Sequence, residues 1–157
     1  MKIVLLVVGK TTDYHIQALT DEYAARINHY VPFQMVVIPE LRNTRALTSA
    51  QQKQLEAQTI KKALMPTDFV VLLDEHGTER RSIDFAAWLQ KRTAAGGHRL
   101  VFVVGGPYGF DADIYDLADE KVSLSQMTFS HQMIRLLFTE QVYRAMTILR
   151  GEPYHHE

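Results

Sequence analysis

An apolar run that ends in glycine is the first candidate ligand contact in the sequence. In the segment LVFVVGGPYGFDAD, residues 100–113, side-chain bulk disappears at Gly105 and Gly106. Glycine has no Cβ, so a bound molecule can approach the main chain directly at such positions. A tight turn leading into a helix capped by Asp111 explains the same residues equally well. The segment is not a G-x-G-x-x-G fingerprint and follows the fourth predicted strand, which argues against a Rossmann dinucleotide site.

A second apolar run ends in the acidic segment LLDEHG, residues 72–77. Ligands of open parallel sheets bind at the carboxyl ends of the strands, so this ending is also a candidate. Asp74 and Glu75 are adjacent in it. Because side chains alternate across a strand, at most one of the two is expected to face a common site.

A hydroxyl-rich segment, SLSQMTFSHQMIR at residues 123–135, runs directly into the last predicted helix. Its small polar residues alternate with larger apolar ones, so a loop here offers main-chain amides and carbonyls beside an apolar wall. An adenine ring needs that combination of flat contact and edge hydrogen bonds. Ser130 or Thr128 also suits a helix cap, and the two interpretations are compatible.

The C-terminal tail GEPYHHE, residues 151–157, concentrates ionisable side chains at Tyr154, His155 and His156. These residues suggest a site completed by the tail, although a frayed terminus is the ordinary state of such a segment. The seven histidines include no pair at the i, i+4 spacing of a helical metal site, and cysteine is absent. No metal is therefore expected. No Ser-His-Asp order or nucleophile elbow is visible.

Length and composition indicate one globular domain over residues 1–157, with 46% apolar and 22% charged residues. The apolar stretch at the N-terminus is too short for a signal peptide or a membrane span, so we expect a cytoplasmic protein with no membrane association. The formal net charge is -1. Nucleic-acid binders usually carry a basic excess, so any such role depends on a local patch that the sequence does not locate. Residues 41–47, with Arg42 and Arg45, form the one extended polar loop.

The elements that would position these segments follow from hydrophobic periodicity. Continuous apolar runs are typical of strands covered on both faces, and spacings of three and four predict helices. Strands are expected at residues 2–10, 33–40, 68–77 and 98–106, with a weaker one at 121–127. Helices are expected at residues 13–30, 48–64, 82–93 and 130–150, the second opened by a capping box and the last ended by Gly151. The alternation predicts an α/β fold, a mostly parallel sheet flanked by helices on both faces.

The last predicted helix is apolar around most of its circumference, so it must be buried on several sides. A terminal helix of a small domain is usually covered on one face only. A second copy of the chain would cover the other, and two-fold homodimers are the commonest soluble oligomers. We therefore predict a homodimer, with deep burial in a single core as the alternative.

Several of these segments together resemble one protein family. LLDEHG, VVGGPYG, LSQMTFSHQMIRLLFTEQVYRA and the terminal PYHHE are similar to the RlmH family of SPOUT-superfamily methyltransferases. These enzymes modify N3 of a pseudouridine in large-subunit (23S) ribosomal RNA. The resemblance spans nearly the whole chain, and residues 125–150 are its most specific part.

The resemblance implies a C-terminal trefoil knot, S-adenosylmethionine bound by the knot loops, and homodimers with the knots at the interface. It implies an enzyme that methylates ribosomal RNA within the assembled ribosome. By analogy the cofactor contacts fall on eight residues: Leu73, Gly105, Leu124, Ser125, Gln126, Met127, Thr128 and Phe129. The bare strand end at Gly105 would let the cofactor lie against main chain.

The tail and the start of the last helix would then serve the acceptor nucleotide. His155 is the first choice for accepting the N3 proton or positioning the imide, with Tyr154 shaping the site beside it. His131 and Arg135 lie one turn apart and could stabilise the anion or hold a phosphate of the RNA; helix capping explains His131 equally well. The family tail usually has Arg or Lys where this chain has His156, which replaces a permanent charge with one that titrates near neutrality.

Two other functions are compatible with parts of the sequence. A doubly wound nucleotide-binding enzyme would need a phosphate-binding glycine motif after the first strand, which is missing. A ribosome- or RNA-binding protein with the same fold but without the chemistry is the non-enzymatic alternative. Titration with S-adenosylmethionine separates both from the methyltransferase.

Overall fold

Five parallel strands form the central sheet of the computed structural model, which describes residues 1–157. Their order across the sheet is β2-β1-β4-β3-β5. The strands are β1 (Lys2–Val8), β2 (Phe33–Ile38), β3 (Phe69–Glu79), β4 (Arg99–Val104) and β5 (Glu120–Ser123). The helices are α1 (Tyr14–Ile27), α2 (Ser49–Ala63), α3 (Ser82–Ala94), α4 (Ala112–Leu117) and α5 (Met133–Leu149), with a short 3-10 helix at Thr44–Ala46.

Both faces of the sheet are buried, which explains why its strands are continuously apolar. Alternate residues of β1 point to opposite faces: Ile3 and Leu5 pack in one core, Val4 and Leu6 in the other. The first core is closed by α1, α3 and α5, and the second by α2 and α4. The predicted α/β fold with a parallel sheet flanked by helices is therefore confirmed.

The helix ends follow the capping signals of the sequence. Thr48 and Gln51 form the predicted capping box of α2. Gly151, with a φ of 68°, ends α5 as predicted. The α5 helix starts at Met133, later than predicted, and the Met133 amide donates to Ser130 Oγ. Because β5 already ends at Ser123, residues 124–132 form a loop rather than regular structure.

The α5 helix packs against the sheet between α1 and α3. Phe138 and Val142 are fully buried there, so one chain already covers much of the apolar circumference of α5. The homodimer stays a prediction. None of the helices combines the length and the apolar character needed to cross a bilayer.

Candidate functional site

A cleft of about 730 Å³ opens at the carboxyl edge of the sheet, where β3, β4 and β5 end. This is the edge at which parallel α/β sheets bind ligands. Three segments supply most of its walls: residues 73–76 within β3, residues 104–110 from the end of β4 onward, and residues 122–131 from the end of β5 onward. Lys53 of α2, Tyr115 of α4 and Ile134 of α5 complete it. We call this cavity the cleft.

The glycines after β4 are required by close packing. The Gly106 amide donates to Glu56 Oε1 of α2 at 2.9 Å. A Cβ on Gly106 would lie 2.5 Å from Glu56 Oε2, and one on Gly105 would lie 3.2 Å from the Phe110 ring. The bare strand end therefore has a packing cause, and it also leaves main chain exposed along one wall of the cleft.

Glu56 is a residue that sequence reasoning missed. It is only 6% exposed and shares the buried face of α2 with Ala57 and Ile60. Burial raises the pKa of the Glu56 carboxyl, the hydrogen bond from Gly106 lowers it, and nearby Glu40 raises it further. A charged residue on the apolar face of a predicted helix was the signal that could have found it.

An irregularity within β3 brings both acidic side chains into the cleft. Val122 pairs with Leu73 and again with Thr78, so residues 74–77 bulge out of the ladder. Asp74 and Glu75 both line the cleft. The expectation that at most one would face the site is therefore wrong, because it assumed unbroken alternation.

Hydroxyl groups of α4 and of the loop after β5 hold these carboxylates. The Tyr115 hydroxyl donates to Asp74 Oδ2, and Thr128 Oγ1 donates to Glu75 Oε2 at 2.9 Å. Burial and the hydrogen bond to Asp74 raise the pKa of Tyr115 to about 12, so the phenol stays protonated at neutral pH. The two contacts connect the bulge of β3 to helix α4 and to the loop after β5.

The loop after β5 is held by its own hydroxyl residues. Ser123 Oγ donates to the Ser125 carbonyl at 2.8 Å, and Ser125 Oγ accepts from the Met127 amide at 3.0 Å. Of the eight residues expected to contact a cofactor, seven line the cleft and one, Gln126, does not. Those seven are Leu73, Gly105, Leu124, Ser125, Met127, Thr128 and Phe129.

The two residues expected to contact RNA separate in the structure. His131 lines the cleft. Arg135 is fully buried, and its guanidinium donates to the carbonyls of Val8, Gly9 and His131 and to Thr11 Oγ1. The prediction that Arg135 holds an RNA phosphate is therefore wrong. Its charge is used inside the protein, where it fastens the end of β1 to α5.

Tyr154 and His155 do not line the cleft of their own chain. The tail lies on the outer part of α5, where the Tyr154 hydroxyl donates to Glu140 Oε1 at 2.9 Å. Burial and hydrogen bonds with Tyr23 and Glu140 raise the pKa of Tyr154. The terminal Glu157 pairs with Arg81 at 2.6 Å. The tail is thus docked rather than frayed.

The tautomer of His155 follows from its contact with Arg144. His155 Nδ1 lies 3.1 Å from Arg144 Nη1, and a guanidinium can only donate, so Nδ1 accepts. The neutral imidazole then carries its hydrogen on Nε2. That Nε2 atom is buried and makes no hydrogen bond within normal distance, and Glu157 Oε1 lies 3.7 Å from it. His155 Nε2 is therefore a donor that could make a shorter hydrogen bond to another acceptor.

The cleft combines features suited to a cationic nucleoside-like ligand. Apolar side chains of Leu73, Leu124 and Phe129 offer flat contact, the glycine and serine loops offer main-chain groups, and two carboxylates offer negative charge. The side chains form no group of three or more His, Cys, Asp or Glu that could hold a metal ion.

Comparison with known proteins gives close relatives of the same length. A protein named "Ribosomal RNA large subunit methyltransferase H" from Bacteroides fragilis is 57% identical over 157 residues, covering 100% of both chains. Proteins of the same name from Porphyromonas gingivalis and Christiangramia forsetii are 56% and 51% identical, covering 100% and 99% of both chains.

Among solved structures, a probable methylase family protein from Haemophilus influenzae Rd KW20 shares the fold with a TM-score of 0.53. The match covers 95% of this chain and 66% of that one, at 12% identity. A family model described as "Predicted SPOUT methyltransferase" matches residues 1–155. The cleft therefore lies in a chain that belongs to the SPOUT methyltransferase family and, within it, to the RlmH group.

Proposed function

We propose that this chain is an S-adenosylmethionine-dependent methyltransferase that modifies N3 of a pseudouridine in large-subunit ribosomal RNA, and so acts in the cytoplasm. One observation carries the proposal. In a member of a methyltransferase family, a single cleft gathers seven of the eight residues that sequence resemblance assigned to the methyl donor.

The residues of the cleft fit S-adenosylmethionine. The cleft volume of about 730 Å³ lies within the range of small-molecule sites. The loop Leu124–Phe129 would hold the adenine between apolar side chains and main-chain groups, and Asp74 and Glu75 favour the positive charge of the ligand. S-adenosylmethionine, when bound, supplies a methyl group already activated on a sulfonium, so the protein need not activate it.

A trefoil knot belongs to the proposal, and the close main-chain approach of β3 and β5 supports it. The chain bulges away after Leu73 and returns at Thr78 to pair with the same residue, Val122. At Gly77 the two segments touch backbone to backbone, since a Cβ there would lie 2.7 Å from the main chain of Val122. A segment that threads past another needs close main-chain approach of this kind.

The acceptor groups are proposed to come from a second copy of the chain. Tyr154 and His155 lie outside the cleft of their own chain, so a homodimer in which each tail reaches the partner cleft would complete both sites. His155 Nε2 supports this, because it is buried, its carboxylate neighbour Glu157 is 3.7 Å away, too far for a hydrogen bond, and such a donor is expected to find a closer acceptor in the assembled complex.

The tautomer of His155 favours positioning of the imide over acceptance of its proton. Nδ1 is already occupied by Arg144, and Nε2–H can donate to a carbonyl oxygen beside N3, where negative charge develops as N3 loses its proton. The N3–H proton then passes to solvent. Correct alignment of N3 can itself lower the barrier by roughly 7 kcal/mol or more.

Calorimetric titration with S-adenosylmethionine tests the proposal, with one saturable site per subunit expected. Thr128→Trp should weaken binding at least ten-fold, because Thr128 is exposed, lines the cleft and holds Glu75. Thr67→Trp, at an exposed position on the opposite edge of the sheet, should not. Absence of saturable binding to the unmodified protein would leave the non-catalytic ribosome- or RNA-binding protein as the better function.

A further inference from the structure

Six of the 17 lysines and arginines make no ion pair, side-chain hydrogen bond or aromatic stacking contact. They are Lys10, Arg42, Arg45, Lys53, Lys62 and Lys91. The other eleven are engaged with carboxylates, amides, carbonyls or rings. Because so few cations lack a partner within the protein, their location in the fold indicates where an external anion could bind.

Four of the six lie at the carboxyl edge of the sheet, the edge at which the cleft opens. Lys10 follows β1, and its carbonyl accepts from Gln132 Nε2 at 3.1 Å, next to the cleft residue His131. Arg42 and Arg45 are exposed in the connection from the end of β2 to the start of α2. Lys53 lines the cleft itself. We call Lys10, Arg42, Arg45 and Lys53 the cationic edge.

The stretch that carries three of these four cations has few acidic residues. Glu40 is the one acidic residue from Pro39 to Lys53. Its side chain lies over Gly9 and acts on the pKa values of Glu56 and Arg135. The chain as a whole has a net charge of -1, yet residues 39–53 carry three cations and one acidic residue.

We propose that the cationic edge binds the phosphates of the ribosomal RNA strand that flanks the modified nucleotide. The inference rests on the proposed function, since the cleft would hold the target nucleotide and the strand must leave its mouth. Position favours RNA as the occupant: Lys53 lines the cleft, the other three cations lie at the same edge of the sheet, and the Tyr108 ring of the cleft is 55% exposed and available to stack on a base. Flexible cations without protein partners are suited to phosphate contacts, which position a nucleic acid without reading its sequence.

Salt-dependent binding to large ribosomal subunits tests the proposal in two variants of equal charge. Arg42→Gln with Arg45→Gln removes two charges from the cationic edge. Lys62→Gln with Lys91→Gln removes two from the last turns of α2 and α3, at the opposite edge. Fluorescently labelled full-length protein is titrated with subunits, and with the naked large-subunit RNA, at several salt concentrations.

The edge variant should bind both about ten-fold more weakly at 0.1 M salt, with the slope of log K against log salt reduced by about 1.5, as expected for two lost phosphate contacts. The control variant should bind subunits and RNA as the unmodified protein does, and both variants should keep the affinity of the unmodified protein for S-adenosylmethionine.

Two results would overturn the inference: an edge variant that binds as tightly as the unmodified protein, or a control variant that loses as much affinity as the edge variant. Loss on subunits with unchanged binding to naked RNA would assign the edge to a ribosomal protein and also overturn it. Because the readout is binding, a protein that binds in this way but transfers no methyl group would contradict only the proposed function.

Discussion

The contact between Glu56 and Gly106 gives a prediction that separates hydrogen bonding from charge. Glu56→Ala removes the acceptor of the Gly106 amide, and a hydrogen bond to a charged group contributes about 1.5–3 kcal/mol. We expect the free energy of unfolding to fall by about 2 kcal/mol, which lowers the urea midpoint by about 1 M. Because the glycine loop lines the cleft, affinity for S-adenosylmethionine should fall as well.

Glu56→Gln should behave differently, since an amide oxygen can still accept from Gly106 and carries no buried charge. The pKa of Glu56 is raised in the folded protein, so the folded state holds its proton to higher pH than the unfolded state. The free energy of unfolding of the unmodified protein should therefore fall as pH rises from the ordinary value of 4.5 through the raised pKa. Glu56→Gln lacks this decrease. Its free energy of unfolding, measured relative to that of the unmodified protein, should therefore rise across that window and then level off.

Urea unfolding followed by the fluorescence of Trp88, the one tryptophan, measures both variants at several pH values. Glu22→Ala is the control, because Glu22 is half exposed on α1 and should change stability by no more than about 0.5 kcal/mol. A Glu56→Ala protein as stable as the unmodified one would refute the reasoning. So would a Glu56→Gln protein that is as unstable as Glu56→Ala.

Three further predictions follow from the site. His155→Ala should abolish methyl transfer to ribosomes while calorimetry finds S-adenosylmethionine affinity within about two-fold, and a parallel loss of both would contradict the assignment of His155 to the acceptor. Arg135→Met should lower the free energy of unfolding in urea by about 3 kcal/mol, because buried carbonyls of Val8 and Gly9 lose their donor; a loss under about 1 kcal/mol would contradict this. Tyr115→Phe should weaken S-adenosylmethionine binding several-fold by releasing Asp74, and because the pKa of Tyr115 is about 12, calorimetry should find this effect constant from pH 6 to 9.

The sheet and the position of the cleft could be predicted because both depend on local pattern. Buried parallel strands are continuously apolar, so their ends are visible in the sequence, and the topology of a parallel sheet brings those ends to one edge. Capping at Thr48 and the stop at Gly151 depend on a few neighbouring residues, and they are found where expected.

Contacts between distant parts of the chain could not be predicted in this way. Arg135 turns inward because the carbonyl of Gly9, 126 residues away, needs a donor. The bulge at residues 74–77 exists because β3 pairs twice with β5, so the alternation that holds for an isolated strand fails there. The position of Glu56 on the apolar face of α2 is visible in the sequence, but its partner, the Gly106 amide 50 residues away, is not. In each case a long-range partner outweighs the local preference.

Methyl incorporation into ribosomes that lack the modification tests the central claim most directly. Purified protein is incubated with these ribosomes and labelled S-adenosylmethionine, and the methylated nucleotide is located by mass spectrometry of the ribosomal RNA. The account predicts one methyl group per large subunit, on N3 of a single pseudouridine. Ribosomal RNA without added methyl, from a protein that binds S-adenosylmethionine normally, would contradict it.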